Sequence, residues 1–438
     1  MELSGKWLLS MLLAWFPYLL FSQVFTSNGA TIFINSGAQM VSNGGMVFTN
    51  SSNVTNNGEL KVTKNSSFPA QGTISLLSAS VVNGNGTYRI EQDWINNAIF
   101  NAGSSTVYLY GNTQQFITSA TGTVTEFNNL VLQGNGVGVN RKKTLLNVDA
   151  RVSTTGTLAL NNRELETQDN LFSVLNPTSS AISNNQTFGA EGFISSSFLG
   201  NLAWTTNSTN TYYFPVGSSD GVTRYRPITI QPESGTANTF TVRMNNTLAD
   251  NYGYFLAQHD PEIATANSNY FHSIERVSGT TNATIRISYL PSEDGDWNAM
   301  AHWKDNQLLW SSMGEGESQA MGNYSSVAKV NWQFPDVYHP YVLTTIMEDL
   351  FIPNVFTPNQ DGVNDTYFVT GAGIKEFNMI IVNRWGNTVF QTDDIKAVWD
   401  GTTGGNPCQD GTYFYVVTAK SASKEYKKQG HITLNTGL

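Results

Sequence analysis

The run STVYLYG at Ser105–Gly111, followed after a polar interval by NNLVLQG at Asn128–Gly134, decides the fold class. Each is a short run of the alternating, strand type that ends at glycine. Alternation of this kind turns successive side chains to opposite faces of a strand, whereas a helix needs apolar positions three and four apart. TIFIN at Thr31–Asn35 and TGTLAL at Thr155–Leu160 repeat the pattern, and helical spacing is sustained nowhere from residue 30 onward. The chain therefore reads as all-β.

Outward from these runs, residues 24–195 carry short strands separated by turn pairs: Asn43-Gly44, Asn57-Gly58, Asn83-Gly84, Asn85-Gly86 and Asn135-Gly136. Brief runs that bend at Asn, Gly, Ser and Thr suit a parallel β-solenoid better than a sandwich, whose strands alternate over longer stretches. Asparagines at successive bends can stack into hydrogen-bonded ladders, where like charges would repel. From residue 196 to 346 the runs lengthen, as in NTYYFPVG (Asn210–Gly217), NTFTVRMNN (Asn238–Asn246) and ATIRISYL (Ala283–Leu290). These suit an antiparallel β-sandwich, with Pro215 and Pro227 at strand ends. The expected plan is a signal peptide at 1–22, a β-solenoid-like passenger at 23–195, a β-sandwich at 196–346 and a small immunoglobulin-like β-sandwich at 347–438.

Composition agrees with that plan and excludes several functions. Only 13% of the 438 residues are charged, about half the usual share, while aromatics reach 12%. A net charge of -10 argues against nucleic acid, whose phosphates call for a basic face, and against anionic membranes. The single cysteine rules out an internal disulfide framework, and five scattered histidines leave little for a histidine metal centre.

The N-terminus supplies a compartment. A lone lysine, Lys6, precedes the apolar run Trp7–Phe21, which is too short to span a membrane and turns polar at Ser22-Gln23. This is the layout of a secretory signal cleaved after Ser22, and Gln23 in place of Cys excludes a lipoprotein anchor.

The C-terminal segment carries five motifs in order: FIPNVFTPNQDGVNDTYFV (Phe351–Val369), FNMIIVNRWGNTVFQT (Phe377–Thr392), VWDGT (Val398–Thr402), GTYFYVVTAK (Gly411–Lys420) and GHITL (Gly430–Leu434). Trp385-Gly386-Asn387 reads as a tight hairpin connection with glycine for positive φ, and Asp400-Gly401 as a second turn. Trp385, Trp399, Phe390, Tyr413 and Tyr415 are the core or rim aromatics of this small sandwich. The order resembles the gliding-motility-associated C-terminal domain, the type B sorting domain of the type IX secretion system. The likeness is carried by Asn354, Phe356, Pro358, Asn359, Asp361, Gly362, Asn364 and Asp365, then Asn383 to Gly386, then Trp399, Asp400 and Gly401, then Gly411, Tyr413 and Tyr415. The family usually has glycine where this chain has Gln360, and Cys408 lies in a variable loop. The resemblance implies export through the periplasm to the cell surface, by a type IX translocon acting with a SprF-like outer-membrane partner. Asp93–Ile117 and Phe127–Gly134 also resemble passenger regions of Bacteroidota surface proteins.

Each candidate site has a plainer reading beside it. Asn359, Asp361, Asn364 and Asp365 gather oxygen ligands as a weak calcium site would, but a turn that bonds its own backbone uses the same residues. In PSEDGDWNAMAHWKDNQLLW (Pro291–Trp310), Trp297 and Trp303 beside Glu293, Asp294 and Asp296 would suit glycan contact or a glycosidase, or simply a loop leading into a buried strand. The lysines 420, 424, 427 and 428 read as a solvated edge-strand face, with translocon docking as the alternative. No nucleophile elbow, zinc-protease signature or phosphate-binding loop occurs, so no catalytic residue is assigned and no cofactor beyond that calcium is implied. The expectation is a non-enzymatic surface protein, an adhesin or gliding-associated matrix protein with an unidentified surface or glycan ligand. The alternative is a secreted glycan-binding or glycan-degrading protein such as a polysaccharide lyase, disfavoured by the scarcity of charge in residues 24–195.

Overall fold

The computed structural model describes residues 24–65, 72–197, 199–335, 340–346, 350–371, 374–420 and 425–437. The signal peptide and its cleavage at Ser22 lie outside the described residues, as does Lys424. The regular structure of the described chain is almost entirely strand, with one four-residue α-helix at Pro291–Asp294 and two short 3-10 turns. It divides into two compact units, one spanning Met1–Thr247, Tyr270–Tyr289 and Asn331–His339, the other Leu248–Asn269, Leu290–Val330 and Pro340–Leu438.

In the first unit the chain runs in turn through separate parallel ladders, each strand pairing with one a circuit later. One ladder begins Phe25–Asn28, Met46–Thr49, Ile74–Leu76, Trp94–Asn96, Gln115–Thr118 and ends at Phe193–Ser195. A second begins at Gln39–Asn43 and runs through Thr106–Leu109 to Asn201–Thr206. A third, shorter one joins Thr31–Ile34, Asn53–Asn56, Val81–Asn83 and Ile99–Phe100.

The alternation seen in the sequence sorts these strands into an inner and an outer face. Met46, Ile74, Trp94, Ile117 and Leu145 stand in register and fully buried on the first ladder. Leu60, Tyr88, Val107, Leu130 and Leu158 do the same on the second. Each such side chain contributes roughly 1.5–3 kcal/mol by leaving water. Trp94 anchors an aromatic cluster, with ring centroids 5.9 Å from Tyr88, 4.9 Å from Phe100 and 5.5 Å from Phe127.

At the strand ends and the turns beside them, asparagines bond one another across circuits. Asn50 Nδ2 donates to Asn28 Oδ1 at 2.7 Å, and Asn101 Nδ2 to Asn83 Oδ1 at 2.7 Å, with Asn83 Nδ2 reaching Asn53 Oδ1 at 3.4 Å. Gly84 shows why glycine follows asparagine here. Its φ is 118°, and a Cβ would lie 2.0 Å from the Asn56 carbonyl oxygen of the previous circuit.

Strand Asn201–Thr206 marks a change of pairing. It is parallel to Leu171–Val174 on one side and antiparallel to Asn238–Asn245 on the other. Beyond it the unit is antiparallel, with Asn238–Asn245 beside Phe271–Ser278, and Tyr212–Phe214, Ile228–Pro232 and Ala283–Tyr289 side by side. Pro215 and Pro227 fall just outside strands. In the second unit, Ala299–Lys304 lies antiparallel between Leu309–Glu315 and Pro340–Ile346, which in turn pairs with Ile263–Ala266.

Candidate functional site

The C-terminal segment is built around a five-stranded sheet in the order Val355–Phe356, Glu425–Leu434, Gly411–Lys420, Glu376–Val382, Thr388–Thr392. All neighbours are antiparallel except the first pair. Alternation along Glu376–Val382 buries Phe377, Met379 and Ile381, and along Gly411–Lys420 it buries Tyr413, Val417 and Ala419. These join Phe356, Tyr367, Trp399, Ile432 and Leu434 in one core.

The motif residues fall into two groups. The first group forms the core and its supports. Phe356 lies 5.1 Å from Trp399 and 5.7 Å from Tyr367, and Trp399 lies 5.3 Å from Tyr413, centroid to centroid. Trp399 and Tyr367 exchange two backbone hydrogen bonds of 2.8 Å, and Trp399 Nε1 donates to the Thr402 carbonyl at 2.8 Å. Asp400 closes this turn by accepting from the Thr402 amide and hydroxyl at 2.9 and 2.8 Å. Gly401 has φ 80°, with Pro358 packed against it. The Asn354 carbonyl accepts the Thr433 amide, fixing the first strand. Tyr415 is half-buried over Gly430, where a Cβ would meet its hydroxyl.

The second group forms exposed turns. In Asn359–Asp365 the side-chain oxygens are engaged by the turn itself. Asp365 accepts the Gln360 amide at 2.6 Å and the Gly362 amide at 2.8 Å, and Asp361 accepts the Val363 amide at 2.8 Å and Asn359 Nδ2 at 2.9 Å. Asn359 Oδ1 accepts the Asp361 amide, and the Asn364 carbonyl accepts the Thr357 amide. The Val363 amide, aided by Asn359, holds the Asp361 carboxyl below the ordinary aspartate range. Gln360, where the family usually has glycine, sits at φ 63°, and Asn364 at φ 55°. Gln360 therefore bears the strain a glycine avoids. Among the described residues no group of three or more His, Cys, Asp or Glu converges as a metal site.

At the hairpin Asn383–Asn387, Asn383 Oδ1 accepts the amides of Trp385 and Asn387, both at 3.0 Å, and Gly386 takes φ 82°. Trp385 departs from the core-or-rim expectation: it is 78% exposed, with the Arg384 guanidinium 5.9 Å from its ring centroid. Its own turn projects it from the sheet, so burial does not explain it. Trp385 and Arg384 line a cleft with Cys408, Tyr413 and Phe414. Burial pushes the Cys408 thiol up, which keeps it protonated. Lys427 and Lys428 are exposed on strand Glu425–Leu434, whose outer edge is paired, among the described residues, only at Thr433 and Leu434, and Lys420 meets Glu425 at 3.4 Å.

The structure treats the two candidate glycan tryptophans differently. Trp303 is buried, packed 5.6 Å from Trp310 and 5.5 Å from Tyr254, so it presents no face to a sugar. Trp297 is half-buried. Of its acidic neighbours Glu293 and Asp296 are exposed, whereas Asp294 is buried and accepts the Leu290 amide at 2.7 Å.

A buried polar cluster in the first unit was missed by motif reading. Lys142 Nζ meets Glu166 at 2.6 Å, Asp220 at 2.8 Å and Glu164 at 3.8 Å, and Ser195 donates to Glu164 at 2.6 Å. Burial opposes the Lys142 charge, but hydrogen bonds to Asp220 and Glu166 with the field of Glu164 outweigh it and raise its pKa. The available signal was the triplet Arg141-Lys142-Lys143 in an otherwise nearly uncharged stretch, with Glu164 and Glu166 two apart on one strand face.

Residues 350–434 match the family model of the CHU_C type IX secretion signal domain. The C-terminal segment is thus the sorting domain its motifs pointed to, and its signal implies engagement with the type IX secretion machinery and export to the cell surface. Comparison with curated proteins and with solved structures finds no match.

Proposed function

We propose that the chain is a secreted cell-surface protein in which residues 350–434 are the export address and the ladder-forming body is the cargo, a non-enzymatic adhesin or gliding-associated matrix protein. The observation that carries the export reading is the family match over a segment with its own sheet and core. On this reading a SprF-like outer-membrane partner and the translocon engage the folded segment. The Arg384–Trp385 tip suits that contact, because an exposed tryptophan beside an arginine is the composition of an interface anchor.

The cargo is read as a β-solenoid followed by antiparallel sandwich-like sheets. The cyclic order of the parallel ladders supports the solenoid, and the change of pairing at Asn201–Thr206 supports the boundary. Its bends present amides bonded to one another, while Lys142, Glu164 and Glu166 are enclosed and paired. That arrangement suits a durable surface better than an open catalytic cleft lined with charge. The glycan-binding alternative rests on Trp297, since Trp303 is buried.

Removing residues 350–438 from the full chain in a host with a type IX translocon tests the reading. Retention of the truncated chain in the periplasm is expected, and surface delivery equal to the intact chain would overturn the export assignment. Loss of cell attachment without any polysaccharide binding by the intact chain would favour the adhesin, and glycan binding abolished by Trp297→Ala would favour the alternative.

A further inference from the structure

Two adjacent lysines in the first unit have opposite surroundings. Lys142 is clamped by Glu166 and Asp220. Lys143 is fully buried, and among the described residues no carboxylate lies within ion-pair distance of it. Its Nζ instead meets the Gly111 carbonyl at 2.9 Å and the side-chain oxygen of Gln115. Gln115 is its Cα partner on the neighbouring parallel strand and is itself fully buried.

The Gln115 carboxamide is held still. Its Oε1 also accepts the Gly111 amide at 2.8 Å, while Nε2 donates to the Ile90 carbonyl at 3.1 Å and to the Gln92 carbonyl. An amine therefore rests against a fixed carbonyl that has a second donor where negative charge would grow on attack.

We propose that Lys143 and Gln115 are a self-crosslinking pair, in which the lysine amine displaces ammonia from the carboxamide and leaves an isopeptide bond between adjacent strands. The neutral amine attacks Cδ of Gln115, forming the new C–N bond, and the Gly111 amide steadies the oxyanion. The proton leaving Nζ passes to Nε2, the Cδ–Nε2 bond breaks and ammonia departs. One amine and one carboxamide become one substituted amide and one ammonia, with no oxidant or cofactor. Burial, with repulsion from Arg163 and Lys64, lowers the Lys143 pKa to about 7 against the attraction of Asp93, so the free amine is well populated near neutral pH. Asp93, whose charge acts on Lys143, has its own carboxyl pushed up by burial and its Oδ1 anchored on the Phe116 amide at 2.8 Å.

The test is a denatured tryptic digest of the purified full chain, followed by mass spectrometry. The expected product joins the peptide Ile90–Arg141 to Lys143–Arg151, with a mass one ammonia below their sum. Lys143→Met and Gln115→Ala should each abolish the joined species. The wild-type digest decides without them: two separate peptides and no joined species would overturn the proposal.

Discussion

In the parallel ladders of residues 24–206 asparagines such as Asn83 find side-chain partners a full circuit away, whereas the motif residues Asp361 and Asn383 of residues 350–434 find theirs inside their own turns. Asn83 bonds Asn53 and Asn101, thirty positions back and eighteen ahead. Asp361 bonds the amide of Val363, and Asn383 that of Trp385, each two positions on. The contrast explains what could be read in advance. A partner two residues away leaves a short motif, so the sorting segment stood out as NVFTPN, NRWGN and WDGT. A partner one circuit away leaves only composition, so the body was legible as neutral, β-forming and rich in Asn-Gly bends.

The contrast also sets where each region breaks. Trp399→Ala should cost about 3–5 kcal/mol by emptying the centre of the small core, seen as lost hydrogen-exchange protection across residues 350–434. In the body, the comparable blow is electrostatic. Lys142→Met leaves Glu164 buried beside Glu166 without its cation and should cost about 3–5 kcal/mol, read as a lower denaturant midpoint for the ladder region. If the loss stayed under about 1 kcal/mol, the cluster would behave as a surface ion pair and its enclosure would be wrong.

Smaller effects sharpen the same comparison. Gln360→Gly relieves a side chain held at φ 63° and should stabilise the sorting segment by up to about 1 kcal/mol. A fall in its melting temperature would show that the Gln360 side chain itself is needed. Asn83→Ala removes the middle of the Asn53–Asn83–Asn101 ladder at the end of strand Val81–Asn83. It should cost only about 0.5–1 kcal/mol, with raised exchange at the bends on both neighbouring circuits. A change confined to residue 83's own turn would mean that the bends are stabilised locally after all.

Some features were hidden for physical reasons. In sequence Trp385 reads both as a turn residue and as a core or rim aromatic, and its place at the tip of the Asn383–Asn387 hairpin leaves it exposed. Trp303 suffered the reverse, because its partners Trp310 and Tyr254 come from neighbouring segments that enclose it. The Lys142 cluster joins residues from four stretches of chain, around Lys142, Glu164–Glu166, Ser195 and Asp220, the last arriving from a loop. Charge scarcity told against a lined catalytic face but not that Lys142, Glu164 and Glu166 would be gathered inside.

The central claim is that residues 347–438 are an address separable from their cargo. Its most direct test fuses them to a fluorescent protein behind a signal peptide, in cells with and without the type IX translocon. Surface or extracellular fluorescence only where the translocon is present is the predicted result, and equal export in both strains would contradict it.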